Sequence, residues 1–254
     1  MRHLNEYITE KLKINSKIKV KEYSCKPETK EELIEILKER IKEDNNANLN
    51  DIDVSDIKDM SWLFKHIFPY NIDISEWDVS NVERMDGMFY ECFDFNSDLS
   101  KWDVSNVVTM NNMLYCCNDF DSDLSKWNVS KVKDMAFMFT HCKKFNSDLS
   151  KWDVSNVEDT SLMFQDCCKF NSDLSEWNVS KVWNMKQMFY ECDNFNSDLS
   201  KWNVSNVDFF TRMFTKCFKF NSDLSNWNVS KAKDMDDMFY YCSALKNIPS
   251  WYKQ

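Results

Sequence analysis

The sequence repeats itself every 25 residues. Tryptophan recurs without interruption at positions 77, 102, 127, 152, 177, 202 and 227, and cysteine at positions 92, 117, 142, 167, 192, 217 and 242. Eight units therefore fill residues 49–248, the first of them degenerate, and Ile248 with Trp251 begins a ninth after a one-residue deletion. Such a period predicts an array in which each unit buries one face against its neighbours and the terminal units act as caps.

Within one unit the apolar spacing predicts a short strand followed by a helix. The segment Leu99-x-x-Trp102-x-Val104 has the pattern of a strand with one buried face. Ser105 is a favourable N-cap, and the apolar residues after it fall on one helical stripe, namely Val107, Met110, Met113, Leu114 and Cys117. We therefore predict an α/β fold, a right-handed solenoid of the leucine-rich-repeat type with about eight strand-helix repeats.

The unit pattern V-x-x-M-x-x-M-F-x-x-C-x-x-F-N-x-D-L-S-x-W-[DN]-V-S resembles the 25-residue repeats of BspA-like leucine-rich repeat proteins, including those of mycoplasma lipoprotein type. The resemblance covers about four fifths of the chain. It implies a leucine-rich-repeat fold and, because many relatives are exported, a surface adhesion or glycan- and matrix-binding protein. The charged start of the chain lacks the apolar core of a secretion signal, so we expect a cytoplasmic protein instead.

Composition excludes several classes of function. The single glycine, Gly87, cannot supply a glycine-rich phosphate loop, and the three histidines lack zinc-ligand spacing. A formal charge of −10 argues against nucleic acid as a partner. No apolar run is long enough to insert into a membrane. We accordingly predict no cofactor, no metal and no catalytic residue.

Residues 1–48 differ from the repeats and are predicted to form an N-terminal cap of helix, short strand and helix. Residues 49–254 are predicted to form the repeat domain, which ends in a degenerate C-terminal cap. Leu4, Tyr7, Ile8 and Leu12 fit the first helix, and Ile18 with Val20 the strand. Thr29 and Glu32 form a capping box that opens a helix through Leu33, Leu37 and Ile41. The alternative is a docking or address segment.

Two columns of the repeat have a structural and a functional interpretation. The cysteine column is predicted to be buried and unpaired, because helices 8 to 10 Å apart would lie beyond disulfide reach; a zinc site is the alternative. The aspartates at 73, 98, 123, 148, 173, 198 and 223 either accept hydrogen bonds from turn amides or hold cations such as calcium. The serine two positions later favours the turn.

Variation between units is concentrated in the columns of positions 83, 84 and 87, which a helix would place on one outward face. Five consecutive units each carry an apolar residue there: Val108, Phe137, Leu162, Trp183 and Phe209. An exposed apolar patch favours an interface, the alternatives being shielding by packing or mere tolerance. We predict a non-enzymatic protein-binding module whose partner is another protein or a second copy; an enzyme would need a non-repeated set of catalytic groups.

Overall fold

The structure is a computed structural model that describes residues 22–67, 69 and 71–253. Each 25-residue unit forms one coil, and successive coils stack in register. Isolated parallel β-bridges join equivalent residues, from Asp59 with Arg84 to Phe209 with Asp234. The coils therefore stack about 4.8 Å apart, the spacing of hydrogen-bonded strands.

The predicted strand-helix architecture is wrong. Among the described residues there is one helix, α1 (Lys30–Glu43), which precedes the repeats, and the described part of the repeats contains bridges but no extended strand. The stack is thus not the predicted α/β solenoid of leucine-rich-repeat type. The segment that begins at Leu99 starts with a turn, in which the N–H of Trp102 donates to the carbonyl of Leu99 at 3.1 Å.

The predicted helix after Ser105 is replaced by a chain of tight turns. The N–H of Met113 donates to Met110 O, and that of Cys117 to Leu114 O, each across three residues. Asn112 lies between the first pair with a left-handed φ of 57°, and Cys116 between the second with 61°. These φ values turn alternate N–H groups toward the next coil. Those N–H groups therefore cannot donate to the carbonyl four residues earlier, as they would in an α-helix.

Every described coil has two such left-handed positions, 25 residues apart from their counterparts. Glycine suits this conformation best, yet only Gly87 is glycine. At that position a Cβ atom would come within 2.4 Å of the Trp62 indole. Gly87 therefore also leaves room for an aromatic ring from the preceding coil.

The residues predicted to face inward do form the core. Leu99, Trp102 and Val104 are at most 4% exposed, and the methionine columns are buried beside them. The indole N–H of each repeat tryptophan donates to a carbonyl of the preceding coil, as Trp127 does to Leu99 O at 3.0 Å. Rings also stack along the array, with Trp177 and Trp202 6.4 Å apart and 2° from parallel. The tryptophan thus combines burial with a satisfied polar atom.

Side-chain turns explain how the coils bend with so little glycine and proline. In a typical coil Asp98 accepts from Ser100 N at 2.9 Å, and Asp103 accepts from Ser105 N at 3.0 Å. A third turn of this kind, from Ser161 N to Asp159 Oδ1 at 2.8 Å, lies beside the bridges. Each is an Asx-turn, in which a carboxylate replaces a backbone acceptor. Ser105 therefore belongs to a turn and does not cap a helix.

The helix predicted after Thr29 is present. Thr29 Oγ1 accepts from Glu32 N at 3.2 Å and caps α1, whose buried face carries Leu33, Leu37 and Ile41. This face packs on the first coil and joins the continuous core. The predicted first helix, with Leu4 and Leu12, and the predicted strand of Ile18 and Val20 lie outside the described residues.

Candidate binding surface

Of the five predicted binding residues, Phe209 belongs to the column of bridges and the other four lie beside it, and none is on a helix. Val108 and Trp183 are exposed, at 39% and 42%. Phe137, Leu162 and Phe209 are half-buried, because the neighbouring coils cover part of each side chain. The prediction that all five residues face outward assumed a helix that is not there. Of the five, only Val108 and Trp183 are exposed.

These residues form two pairs and one single residue. The rings of Trp183 and Phe209 meet edge to face, with centroids 6.0 Å apart. Phe137 and Leu162 occupy the same column in adjacent coils, so they lie side by side. Val108 stands apart from both pairs, between Glu83 and Lys133, whose backbones it joins by hydrogen bonds.

Charged groups border the Trp183 and Phe209 pair. The ammonium of Lys233 lies 5.8 Å from the centre of the Phe209 ring. The same ammonium contacts Asp208 Oδ2 at 2.7 Å, so it is held over the aromatic face by a carboxylate. Trp183 itself bonds through its backbone to Glu158 and Asp208. The pair is therefore an apolar island with a charged edge, which is the general layout of a protein interface.

The sequence reasoning missed other exposed aromatic residues. Phe93 and Phe218 share one column and are 46% and 45% exposed, and Tyr240 and Tyr241 in the last coil are 52% and 60% exposed. Of the other coils, the first also has phenylalanine in this column, and the rest have asparagine, lysine, cysteine, aspartate or serine. Comparing every column, rather than only those of one assumed helical face, would have found them.

The aspartate column makes the predicted turns. All seven carboxylates accept from the serine N–H two residues later, at 2.9 to 3.0 Å. The turn interpretation is therefore confirmed. Within the described residues no three acidic, cysteine or histidine side chains are arranged to hold a metal ion.

Acid is expected to weaken these turns. The hydrogen bonds from Ser150 hold the pKa of Asp148 below its usual value. A lowered folded-state pKa gives stability that is complete above the unfolded pKa of about 3.9 and is lost as pH falls through the folded value. We expect Asp148→Ala to cost about 1 kcal/mol at pH 7. Asp148→Asn should keep the turn at pH 7 and lose less stability between pH 5 and 3, in thermal melts at each pH.

In a neighbouring column asparagine already accepts the turn hydrogen bond in place of aspartate. That column provides a control for Asp148→Asn. Asn128 Oδ1 accepts from Ser130 N at 3.1 Å, where other coils have aspartate. Asn128→Asp should therefore leave stability at pH 7 nearly unchanged. Equal acid sensitivity of the wild type and Asp148→Asn would show that Asp148 does not contribute to the pH dependence.

Six of the seven cysteines of the column are buried, Cys242 in the last coil is half-buried, and all ten cysteines are unpaired. The predicted separation of 8 to 10 Å was nevertheless wrong, because coils about 4.8 Å apart bring neighbouring cysteines within disulfide range. From Cys117 onward the thiols instead donate to carbonyls of the preceding coil, as Cys142 does to Leu114 O at 3.1 Å. The Cys92 thiol, by contrast, lies 3.9 Å from Tyr90 O of its own coil. Burial raises the pKa of the Cys92 thiol to about 12. These cysteines are core residues.

Comparison with protein families identifies the repeat. The family described as Mycoplasma protein of unknown function, DUF285, matches residues 34–152, 98–197 and 137–252. The chain belongs to this family. The three overlapping matches together span α1 from residue 34 onward and the repeats, as expected of an array in which each coil resembles the next.

Beyond this DUF285 membership the comparisons add no relative of known activity. No curated protein and no solved structure matches the chain. No helix among the described residues of this DUF285 member is long and apolar enough to cross a membrane.

One column of this DUF285 member brings together groups of the kind that a cysteine enzyme uses. Cys116, His141 and Asp166 occupy equivalent positions in three consecutive coils. His141 Nδ1 lies 2.9 Å from Asp166 Oδ2. Burial raises the pKa of the Cys116 thiol to about 11, so at neutral pH the sulfur stays protonated and is a poor nucleophile.

Proposed function

We propose that this protein is a non-enzymatic protein-protein interaction module that binds through the surface around Trp183. The observation that carries the proposal is the exposed indole of Trp183 in edge contact with Phe209, at a ring distance of 6.0 Å. The repeat supplies no structural reason for these residues, since all other coils have charged or polar groups in both columns except for Val108. An aromatic pair that the fold does not need favours a role in binding.

Aromatic side chains are well suited to dominate such an interface. They bury a large area with few rotatable bonds, and tryptophan is enriched among the residues that cost most on truncation. The charged border of Lys233 and Asp208 adds polar contacts at the rim. The remaining predicted residues, the half-buried Phe137 and Leu162 and the exposed Val108, lie in the three preceding coils and are separate contact points in the proposal.

The protonated state of Cys116 supports a binding role over an enzymatic one. A cysteine nucleophile needs a thiolate, which burial disfavours here. Asp166 holds the His141 ring at 2.9 Å, and among the described residues no hydrogen bond joins this ring to the Cys116 thiol, so no general base is placed to deprotonate that thiol. As part of the same proposal, the ten unpaired cysteines suit a compartment that keeps thiols reduced, such as the cytoplasm.

Capture by the immobilised protein, followed by mass spectrometry of what is bound from the native host, tests the proposal. Trp183→Ser with Phe209→Ser is expected to abolish capture, since such truncations cost about 2 kcal/mol or more each. Circular dichroism and melting temperature should stay near those of the wild type. Lys101→Ala with Lys126→Ala, at exposed positions on another face, should leave capture intact.

A matched aromatic control is provided by Phe218, which is 45% exposed in a different column. Phe218→Ser should retain capture; if it alone abolishes binding, the binding surface is elsewhere. Loss of fold in the Trp183 and Phe209 variant would mean that these rings serve stability. The narrower resemblance to BspA-like proteins would instead imply adhesion, and detection of the native protein outside the cell would favour that role.

A further inference from the structure

The two ends of the stack of coils are chemically different. Alternate N–H groups of each coil donate to the next coil, as those of Met185 and Gln187 do to Phe209 O and Thr211 O, both at 2.9 Å. The carbonyl of the same peptide unit points the opposite way and accepts from the preceding coil. Along this ladder the stack therefore has a donor end, which presents N–H groups, and an acceptor end, which presents carbonyls. The column of position 83 runs the opposite way, with Val108 N donating to Glu83 O of the preceding coil.

The donor end is open. The N–H groups of the last coil at Met235, Asp237, Phe239 and Tyr241 have no acceptor among the described residues, whereas every one of their counterparts between Met85 and Lys216 has one. Tyr252 lies 5.1 Å from Phe239 and covers the core side of this coil. The ladder side remains accessible, with Asp237, Tyr240 and Tyr241 exposed.

The acceptor end is covered by α1. The first-coil carbonyls at positions 59, 61, 63 and 65 accept from no described N–H. Above them lies α1, with Leu33 and Leu37 fully buried. Lys30 Nζ reaches Ser61 Oγ at 2.9 Å, and Arg40 pairs with Asp51 at 3.1 Å. The helix thus occupies the place that a preceding coil would take.

We propose that the donor end is a docking edge for a second copy of this chain, which binds through its own acceptor end when α1 is displaced. The hydrogen-bonding pattern selects this occupant. The donor end presents four N–H groups, while the carbonyls between them already accept from Phe210, Arg212, Phe214 and Lys216. An ordinary β-strand alternates N–H and C=O along its edge, and a two-fold-related copy would oppose N–H to N–H.

Only a coil of the same kind offers carbonyls at the matching interval. The resulting contact is head-to-tail, so it does not close and would propagate as a filament. In this arrangement α1 is the element that keeps the array from growing, which is how an exposed edge is commonly protected.

The test uses the full chain and measures molar mass by light scattering over a range of concentrations. Leu33→Asp with Leu37→Asp should release α1 and raise the mass to at least twice that of the monomer. Glu35→Lys with Glu39→Lys, on the exposed face of α1, should leave the mass unchanged. Adding Met235→Pro to the released variant removes one donor that makes no described bond, and should restore the monomer.

Hydrogen exchange separates specific docking from aggregation. In the associated state the amides at 235, 237, 239 and 241 should become protected, whereas aggregation of unfolded chains would leave them unprotected and would contradict the proposal. A released variant that is folded yet monomeric would also overturn it. If the aspartates unfold the array, Lys30→Glu with Arg40→Glu releases α1 without altering the core, and its mass decides the question.

Discussion

Trp152→Ala is expected to destabilise the protein by about 3 to 5 kcal/mol, because it removes the largest side chain of an interior coil and leaves a cavity. Trp152 is 4% exposed and stacks on Trp127 at a centroid distance of 6.4 Å. Its indole N–H donates to Leu124 O at 3.0 Å, so the substitution also leaves a buried carbonyl without its partner. Denaturant unfolding followed by circular dichroism measures the loss.

Two further variants separate the effect of position in the stack from the effect of losing the indole N–H. Trp251 makes the same kind of hydrogen bond, to Leu224 O at 2.9 Å, but it is half-buried at the end of the stack. Trp251→Ala should therefore cost much less, about 1 kcal/mol. Trp152→Phe keeps a ring and removes the N–H donor, so its cost estimates the hydrogen bond and the smaller ring. Equal losses for Trp152→Ala and Trp251→Ala would show that position in the stack does not matter.

The period of the sequence determined which residues are buried, though not the local conformation. Leu99, Trp102 and Val104 point inward as predicted, because an array with a fixed period must bury the columns that are always apolar. The spacing from Met110 through Cys117 fits both a helical stripe and a chain of three-residue turns. What distinguishes them is the left-handed φ at Asn112 and Cys116, where the chain lacks the glycine that would have revealed it.

The exposed binding surface was also partly predictable from the period of the sequence. Columns that vary between coils indicate positions the fold does not constrain, and Trp183 proved exposed on that basis. The half-burial of Phe137 and Phe209 was not predictable from a helix, because it follows from coils that stack about 4.8 Å apart and shield one another. The open donor end was equally hidden, since it depends on the direction of peptide groups and not on side chains.

Removal of one whole coil is expected to preserve the fold. Deleting residues 113–137 takes out 25 residues and joins Asn112 to Met138, which restores the order Met-x-x-Met-Phe in the ladder. Each coil contacts only its neighbours, so the shortened array should unfold in one cooperative transition of somewhat lower enthalpy. Calorimetry together with the near-ultraviolet signal of the tryptophans measures this.

Deleting residues 113–136 removes one residue fewer and should destroy cooperative folding. It places Phe137 after Asn112 and shifts each following side chain of that ladder by one position. His141 then takes the buried place of Cys117, and the buried Phe139 moves to the half-buried place of Tyr115. The natural 24-residue interval between Trp227 and Trp251 is tolerated because the missing residue falls in the turn before Ile248, outside the ladder. If both deletions fold equally well, the register of the ladder does not hold the stack together; if neither folds, the coil is not the unit of stability.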